Sequence, residues 1–206
     1  IVLPGRHTES NILVGLTRDY AIPSVEIQAG TITHSPRFVS PSAQDILCID
    51  PFSFDVFSRY PGRNPNSVYI AGSAKIDADL MDVRKLTRAE AREKITELAG
   101  LEDKKILVLA TQAVGVEVMS GIVGIIAEAC AGLPDTYLFI KQHSSETDDY
   151  APAYIRATQA KGFDRLIISS TADTQHCVVA ADIILTYYST VGLEGFILQR
   201  PVICIN

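Results

Sequence analysis

Residues 182–206, DIILTYYSTVGLEGFILQRPVICIN, determine the fold class of this chain. The apolar run DIILTYY predicts a strand, VGLEGFILQ predicts a helix, and RPVICIN predicts a second strand. Because the connections are short, we expect the two strands to lie parallel in one sheet, with the helix crossing over it. The turn before the helix carries two hydroxyls, a glycine and a carboxylate, which need an explanation of their own.

The same alternation of strands and helices extends through the rest of the chain. Further strands are predicted at 1–5, 21–30, 45–50, 66–73, 104–111, 136–143 and 165–171. Further helices are predicted at 12–20, 51–60, 87–101, 121–132, 151–162 and 174–181. A capping box of Thr87 and Glu90 opens the third of these helices, and Gly100 is expected to end it. Such alternation is typical of parallel sheets in an α/β fold.

One segment interrupts the alternation. Residues 74–86, AKIDADLMDVRKL, are polar, lack strong periodicity and collect charge, which favours a joint between two domains. We therefore predict an α/β protein with two doubly wound, Rossmann-like parallel-sheet halves, at residues 1–80 and 81–206. Because the sequence starts and stops on predicted strands, we expect both halves to be truncated parts of larger domains.

Composition narrows the possible functions. The chain has 206 residues, of which 47% are apolar, and a net charge of -6. This charge disfavours general nucleic-acid binding, because no basic surplus neutralises phosphates. No apolar run reaches about 18 residues, so we expect a cytoplasmic protein, with peripheral contact at the inner face of a membrane left open. Cys48, Cys130, Cys177 and Cys204 form no CxxC pair, which favours buried free thiols over a zinc or redox site.

Polar side chains concentrate where the predicted strands end. The segments concerned are GRHTES (5–10), QAGTITH (28–34), ATQAVG (110–115), KQHSSE (141–146), SSTADTQ (169–175) and YYSTVGLE (187–194). Ligands of doubly wound sheets lie beyond the carboxyl ends of the strands, so these segments predict a ligand site. Three of the four histidines, His7, His34 and His143, belong to them. The carboxylates of SSETDD (144–149) are expected to form a solvated loop.

The turn at 189–194 suits a phosphate followed by a ribose. Ser189 and Thr190 are predicted to cap a helix whose first N–H groups have no intrahelical partner, and Gly192 would allow a phosphate to come close. Glu194, expected in the first helical turn, would accept hydrogen bonds from ribose hydroxyls. A plain helix cap explains the same residues without a ligand, and a structural role explains His143 equally well, so both alternatives remain open.

These segments together resemble the two-Rossmann GT-B superfamily, in particular the UDP-N-acetylglucosamine 2-epimerases and the capsule and teichoic-acid glycosyltransferases. The resemblance rests on GRHTES…IPSVEIQAG, SVYIAGSAKIDADL, KQH and YYSTVGLEGFILQRPVI, and it covers nearly the whole chain. It implies an acceptor side in residues 1–80, including Gln28 and Gly30, and a nucleotide-sugar side in residues 81–206. The nucleotide-sugar contacts that it implies are Thr111, Gln112, His143, Thr171, Ser189, Thr190, Gly192 and Glu194.

Three departures from the epimerase pattern shift the expected reaction. Arg6 stands where the epimerases carry a turn Asp, Gln28 where they carry a Glu, and Thr111 where they carry a His. Epimerisation at C2 needs groups that exchange protons, and neither Gln nor Thr does so near neutral pH. The resemblance therefore favours a glycosyltransferase of surface-polysaccharide or glycan biosynthesis. A 2-epimerase-like enzyme and a non-catalytic nucleotide- or sugar-binding relative are the alternatives.

Glycosyl transfer on this fold needs few catalytic side chains. The leaving diphosphate is stabilised by a helix N-terminus and nearby donors, so we expect neither a metal ion nor a cofactor, with the nucleotide sugar as substrate. The acceptor is expected to be a glycan or a lipid-linked molecule, and a homodimer is left open. A base must activate the acceptor hydroxyl, and the candidates are His7, Glu9 and His34.

Overall fold

The computed structural model describes residues 8–28, 30, 32 and 43–205, with the backbone alone for 8–11. The chain divides into two compact units, unit 1 (Ile1–Ala78) and unit 2 (Asp79–Asn206). This division falls two residues before the boundary expected from the sequence. The predicted strand at 1–5 lies outside the described residues.

Unit 1 contains a parallel sheet of three strands in the described residues. Its elements are α1 (Thr8–Asp19), β1 (Val25–Ile27), β2 (Asp45–Cys48), α2 (Pro51–Ser58) and β3 (Val68–Ile70), in the sheet order β1-β2-β3. A small core of Ile46, Cys48, Val56, Phe57 and Val68 joins β2 and β3 to α2. Helix α2 begins at Pro51 because the Asp50 carboxylate caps it, accepting from the backbone N–H of Ser53 at 2.7 Å.

The segment predicted to be the joint between the two domains is helical, and the division between the units falls within it. Residues Ala74–Met81 form helix α3, and Val83–Lys85 form a short 3₁₀ turn. Ile76, Leu80 and Val83 are buried, at spacings of four and three residues, which is the spacing of one helix face. The sequence analysis found no strong periodicity in this segment, but these three apolar residues define a buried stripe among the charges.

Unit 2 contains a parallel sheet of five strands. Its strands are β4 (Lys105–Ala110), β5 (Thr136–Lys141), β6 (Leu166–Ser169), β7 (Ile183–Thr186) and β8 (Val202–Cys204). Its helices are α4 (Arg88–Glu93), α5 (Val116–Ala131), α6 (Tyr150–Gln159), α7 (Thr174–Ala180) and α8 (Thr190–Ile197). The strand order is β6-β5-β4-β7-β8, so the chain starts in the middle of the sheet and winds outward in both directions. This confirms the predicted α/β fold with parallel sheets.

Helices cover both faces of the sheet in unit 2. Helices α5 and α6 pack on each other and on one face, where Leu107, Leu109, Leu138 and Ile140 join their core. Helix α7 contacts α4 and α8 on the other face. The central strand β4 is consequently buried on both sides from Ile106 to Ala110, as its continuous apolar run predicts. Cys48, Cys130 and Cys177 are buried free thiols, as expected, whereas Cys204 on the edge strand β8 is exposed.

The charged cluster around Asp182 joins α4 to the beginnings of β4 and β7. The Asp182 carboxylate accepts from Arg92 at 2.8 Å, from Arg88 at 2.6 Å and from the backbone N–H of Ile106 at 2.8 Å. Arg92 is buried, and its remaining N–H groups donate to the carbonyls of Ala180, Glu102 and Lys104. This Asp182 cluster fixes the amino edge of the sheet.

Helix α4 is shorter than the sequence predicted. The capping box of Thr87 and Glu90 is present, but the helix ends at Glu93 rather than near Gly100. Ile95 has an extended backbone (φ −111°, ψ 103°), and a 3₁₀ turn follows at Thr96–Leu98. The side chain of Ile95 is buried, so the chain leaves the helix early to place a β-branched residue in the core.

Two glycine substitutions test how closely α8 lies on the sheet. A methyl group at Gly195 would stand 2.5 Å from Ile184 Cδ1 and 3.0 Å from Val202 Cγ2, both on strands below the helix. Gly195→Ala is therefore expected to lower the free energy of unfolding by about 1–3 kcal/mol, measured by urea denaturation. The matched control is Gly121→Ala in α5, where nothing lies within 4 Å and a gain of about 0.5–1 kcal/mol is expected. Equal effects of the two substitutions would contradict close packing of α8.

Candidate functional site

Four strands of unit 2 end at one edge of the sheet and bring the predicted nucleotide-side residues together. The register places Lys141 and Thr186 on either side of Ala110, so β4, β5 and β7 end at the same level. Strand β6 ends beside them, because Ser169 pairs with Lys141. The residues that follow these strands, from Thr111 to the turn at Ser189, therefore emerge along one line, which we call the carboxyl edge of unit 2.

The turn into α8 forms a capped helix amino end at this edge. The Ser189 hydroxyl accepts from the backbone N–H of Val191 at 3.3 Å, and Thr190 is the first helical residue. The N–H of Gly192 donates to the Ser189 carbonyl at 3.1 Å. Ser189 thus caps the helix as predicted, and two of the N–H groups nearest the helix start already have partners within the turn.

Gly192 lets the start of α8 pack closely on the sheet. A Cβ at this position would stand 3.1 Å from Thr186 Cγ2 and 3.7 Å from Val202 Cγ1, both in the strands beneath the helix. The missing side chain therefore faces the sheet, and its absence lets the first turn of α8 lie close to β7. This packing requirement explains the glycine without a ligand, and the approach of a phosphate to Gly192 stays a prediction.

Glu194 lies deeper in α8 than the sequence predicted. It is the fifth residue of the helix, in the second turn, and its side chain is 3% exposed. The amide Nε2 of Gln175, from the start of α7, lies 3.5 Å from Glu194 Oε2, at the outer limit of a hydrogen bond. The prediction of a first-turn carboxylate was wrong, so the helix dipole at the first turn does not account for Glu194. A buried carboxylate at the carboxyl edge is costly and needs polar partners there.

His143 projects from the turn after β5. Its side chain is exposed, and its Nδ1 accepts from the backbone N–H of Ser145 at 3.1 Å. Because Nδ1 is the acceptor, Nε2 carries the proton of the neutral ring. His143 thus offers an N–H donor at the carboxyl edge.

Thr111 anchors that turn to the end of β4. Its side chain is buried, its hydroxyl donates to the Lys141 carbonyl at 3.2 Å, and the same oxygen accepts from the backbone N–H of His143 at 3.1 Å. The Thr111 hydroxyl is therefore used inside the protein, and a direct contact with a nucleotide sugar stays a prediction. Gln112, which is half-buried, and Thr171, which is exposed, lie at the same edge.

Glu146 is the residue of this edge that the sequence analysis missed. It was assigned to a solvated loop, but it is half-buried and accepts from the Tyr154 hydroxyl at 2.8 Å and from Gln142 Nε2 at 3.3 Å. Burial of the phenol and the adjacent carboxylate raise the pKa of Tyr154, so the hydroxyl keeps its proton and remains the donor. Tyr154 was the sequence signal that could have revealed this contact. It lies on the apolar face of the predicted helix, and the hydroxyl of a buried tyrosine needs a hydrogen-bond partner.

The acceptor-side candidates of unit 1 have mostly structural contacts. Gln28 is buried, and its amide donates to the Gly30 carbonyl at 2.7 Å and to Ser53 Oγ at 3.0 Å, while its oxygen accepts from the N–H of Ile49 at 3.0 Å. Both amide hydrogens are thus used within unit 1. Glu9 lies in the first turn of α1, and its side chain is not described.

His7 and His34, the other two candidate bases, fall outside the described residues, so their role stays a prediction. In the described ranges, no three His, Cys, Asp or Glu side chains converge on a point that would hold a metal ion. None of the helices that the structure describes is both long and apolar enough to cross a membrane.

A cavity of about 730 Å³ lies at the opposite, amino edge of unit 2, next to the Asp182 cluster. Its charged lining contains both signs, and some of these groups pair with each other, since Arg88 and Arg92 both pair with Asp182. It lies away from the carboxyl edge, where the predicted site residues meet, so we do not assign the nucleotide to it.

Comparison with solved structures identifies the fold. The MnaA protein of S. aureus, solved with UDP, matches 100% of this chain and 57% of its own length at 17% identity and a TM-score of 0.70. The UDP-GlcNAc 2-epimerase of Neisseria meningitidis, solved with UDP-GlcNAc, matches 97% of this chain and 57% of its own at 17% identity and 0.69. A glycosyltransferase of Rickettsia africae matches 98% and 64% at 10% identity and 0.61.

The chain shares the Rossmann-like α/β fold of these structures. This confirms the resemblance drawn from the sequence as far as the fold is concerned. The chain spans little more than half the length of the first two of these structures. No protein-family profile matches the chain, and no curated protein matches it significantly.

Removing the Thr111 hydroxyl tests the connection between β4 and the His143 turn. Thr111→Val keeps the shape of the side chain but removes the donor to Lys141 and the acceptor for the His143 N–H. We expect a loss of about 1–2 kcal/mol in the free energy of unfolding and faster amide hydrogen exchange at residues 143–146. Thr111→Ser, which keeps the hydroxyl, is the control and should preserve the protection. Unchanged exchange in the valine variant would refute this role.

Proposed function

We propose that this chain is part of an enzyme that acts on a nucleotide-activated sugar, with the nucleotide held by unit 2. The observation that carries the proposal is the meeting of Ser189, Thr190, His143 and Glu194 at the carboxyl edge of a doubly wound sheet, where such folds bind ligands. Proteins with the same fold solved with UDP and with UDP-GlcNAc support a nucleoside diphosphate as the ligand.

Each group has a defined task in this proposal. The amino end of α8 and the hydroxyls of Ser189 and Thr190 face the diphosphate, whose negative charge the helix dipole favours. The Nε2–H of His143 donates to a phosphate oxygen. Glu194 accepts from the ribose hydroxyls. Because Glu194 is buried, ribose binding requires the side chain of Gln175, whose Nε2 lies 3.5 Å from Glu194 Oε2, to move aside.

The chemistry of two positions favours transfer over epimerisation. Thr111 and Gln28 stand where the resemblance puts epimerase acid–base groups, and both side chains are neutral and engaged in internal hydrogen bonds. We therefore assign a glycosyltransferase activity in surface-polysaccharide or glycan biosynthesis, with a glycan or lipid-linked acceptor on the side of unit 1. Transfer breaks the bond between the anomeric carbon and the diphosphate, and donors at the helix amino end stabilise the departing charge.

The epimerase alternative has a specific observation in its favour. Two of the structures described above, at 17% identity, have higher TM-scores than the glycosyltransferase, and one of them is a UDP-GlcNAc 2-epimerase. The two activities share a donor and a fold, and they differ in whether the sugar is isomerised or passed to an acceptor.

Nucleotide binding is tested by thermal unfolding. UDP or CDP at about 100 times its dissociation constant adds about 2.7 kcal/mol to the stability of the folded chain, which raises Tm by several degrees. Glu194→Gln should remove most of the shift, because the amide carries no charge and offers fewer acceptor sites to the ribose hydroxyls. The control Glu128→Gln, on the exposed surface of α5, should keep it. Absence of a shift with UDP, CDP and the other nucleoside diphosphates would refute the proposal.

The reaction is distinguished by following UDP-GlcNAc in the presence of the protein. Incubation without an acceptor is expected to leave the sugar unchanged, whereas a transferase supplied with its acceptor releases UDP and forms a new glycosidic bond. Formation of the manno epimer, read by NMR or chromatography, would replace the transferase assignment with the epimerase. Tight binding without turnover for any donor and acceptor would instead identify a binding protein.

A further inference from the structure

The carboxylate of Glu146 closes the short turn that carries His143. One oxygen, Oε1, accepts from the Tyr154 hydroxyl at 2.8 Å, and the other, Oε2, accepts from Gln142 Nε2 at 3.3 Å. The backbone N–H of Glu146 donates to the His143 carbonyl at 3.0 Å. A single side chain thus connects the first and last residues of the 142–146 turn to helix α6.

This connection leads directly into the core of unit 2. Tyr154 is fully buried and belongs to the main apolar core with Leu109, Met119 and Leu138. Its hydroxyl therefore has a fixed position, and without Glu146 it would lose the acceptor at 2.8 Å. Since an unpaired buried hydroxyl is costly, the position of the Glu146 carboxylate is set by the core rather than by solvent.

The orientation of the His143 ring depends on the same turn. The backbone N–H of Ser145, the residue directly before Glu146, donates to His143 Nδ1. If the turn opens, this 3.1 Å hydrogen bond is lost and either ring nitrogen can carry the proton. While the turn is closed, Nε2–H is the form that the backbone favours, and the exposed ring presents it at the carboxyl edge.

We propose that Glu146 is a positioning residue for His143, which holds the neutral ring with Nε2–H directed to a nucleoside diphosphate. The inference rests on the proposed function for its ligand, whereas the control of the ring tautomer stands on the contacts of unit 2 alone. A preorganised N–H donor costs no rearrangement when a phosphate binds, and the benefit increases as charge develops on a departing diphosphate.

The first test measures the ring itself. In protein with ¹⁵N-labelled histidine, the His143 signals are assigned by comparison with His143→Gln, and the nitrogen shifts report which nitrogen carries the proton. Glu146→Gln replaces one of the two carboxylate oxygens that accept from Gln142 and Tyr154 with an N–H₂ group, and Tyr154→Phe removes the hydroxyl that donates to Glu146. Both variants are expected to convert the Nε2–H form into a mixture of tautomers. The controls Glu128→Gln and Tyr137→Phe should retain the wild-type spectrum. A wild-type spectrum in both test variants overturns the proposal.

The second test uses UDP and CDP as probes and measures their dissociation constants by calorimetry. Glu146→Gln is expected to weaken binding about tenfold, the equivalent of one hydrogen bond to a charged group. In a His143→Gln background the same substitution should have no further effect, because the residue acts through the ring. Additive losses in the double variant would assign Glu146 a general structural role and overturn the positioning role. Far-UV circular dichroism of each variant checks that the fold is retained.

The two hypotheses fail in different ways. If the wild-type chain binds neither UDP nor CDP, the proposed nucleotide function fails, while the tautomer measurement still decides whether Glu146 controls the ring. A different result would refute only the positioning role. In that case UDP or CDP binds, His143→Gln weakens the binding, and Glu146→Gln and Tyr154→Phe both bind the nucleotide as tightly as the wild type. The nucleotide function would then stand.

Discussion

Strand β4 pairs in parallel with β5 on one side and with β7 on the other, and the candidate site depends on this double pairing. The two registers bring Lys141, Ala110 and Thr186 level with one another, so three turns leave the sheet side by side. Ile106 and Leu109 are fully buried because helices cover both faces of the strand. The core that stabilises unit 2 thereby also brings Thr111, the His143 turn and the start of α8 together.

The fold was predictable from the sequence because its signals are local. Apolar runs of strand length, helical spacing and the capping box at Thr87 are set by neighbouring residues, and those within the described residues correspond to elements of the structure. The ends of elements were less predictable, since distant contacts decide them. Helix α4 ends at Glu93, and Ile95 then enters the core. Arg92 in the same helix donates to the backbone carbonyls of Ala180 and Lys104. These partners are distant in sequence, so the local pattern of α4 does not predict where the helix ends.

The candidate site was predictable in position and less so in detail. Parallel strands ending at one edge gave the location of His143 and Ser189. The pattern did not distinguish polar groups that face a ligand from those that hold the protein together, as Thr111 and Gln28 do. Glu146 was missed for a related reason, because its partner Tyr154 lies on the following helix and only the folded turn brings them into contact. Glu194 was expected in the first turn because the helix was predicted to begin at Val191, whereas it begins at Thr190 and Glu194 is its fifth residue.

The Asp182 cluster makes the two edges of the sheet in unit 2 unequal. Charged hydrogen bonds cross-link α4, β4 and β7 at the amino edge, whereas the charged groups of the carboxyl edge, Lys141 and Glu146, hold the turns that follow the strands. Local opening of a domain begins where the fewest strong contacts must break. Because the Asp182 cluster lies at the other end of the strands, a rearrangement of the turns around Glu194 would leave its ion pairs intact.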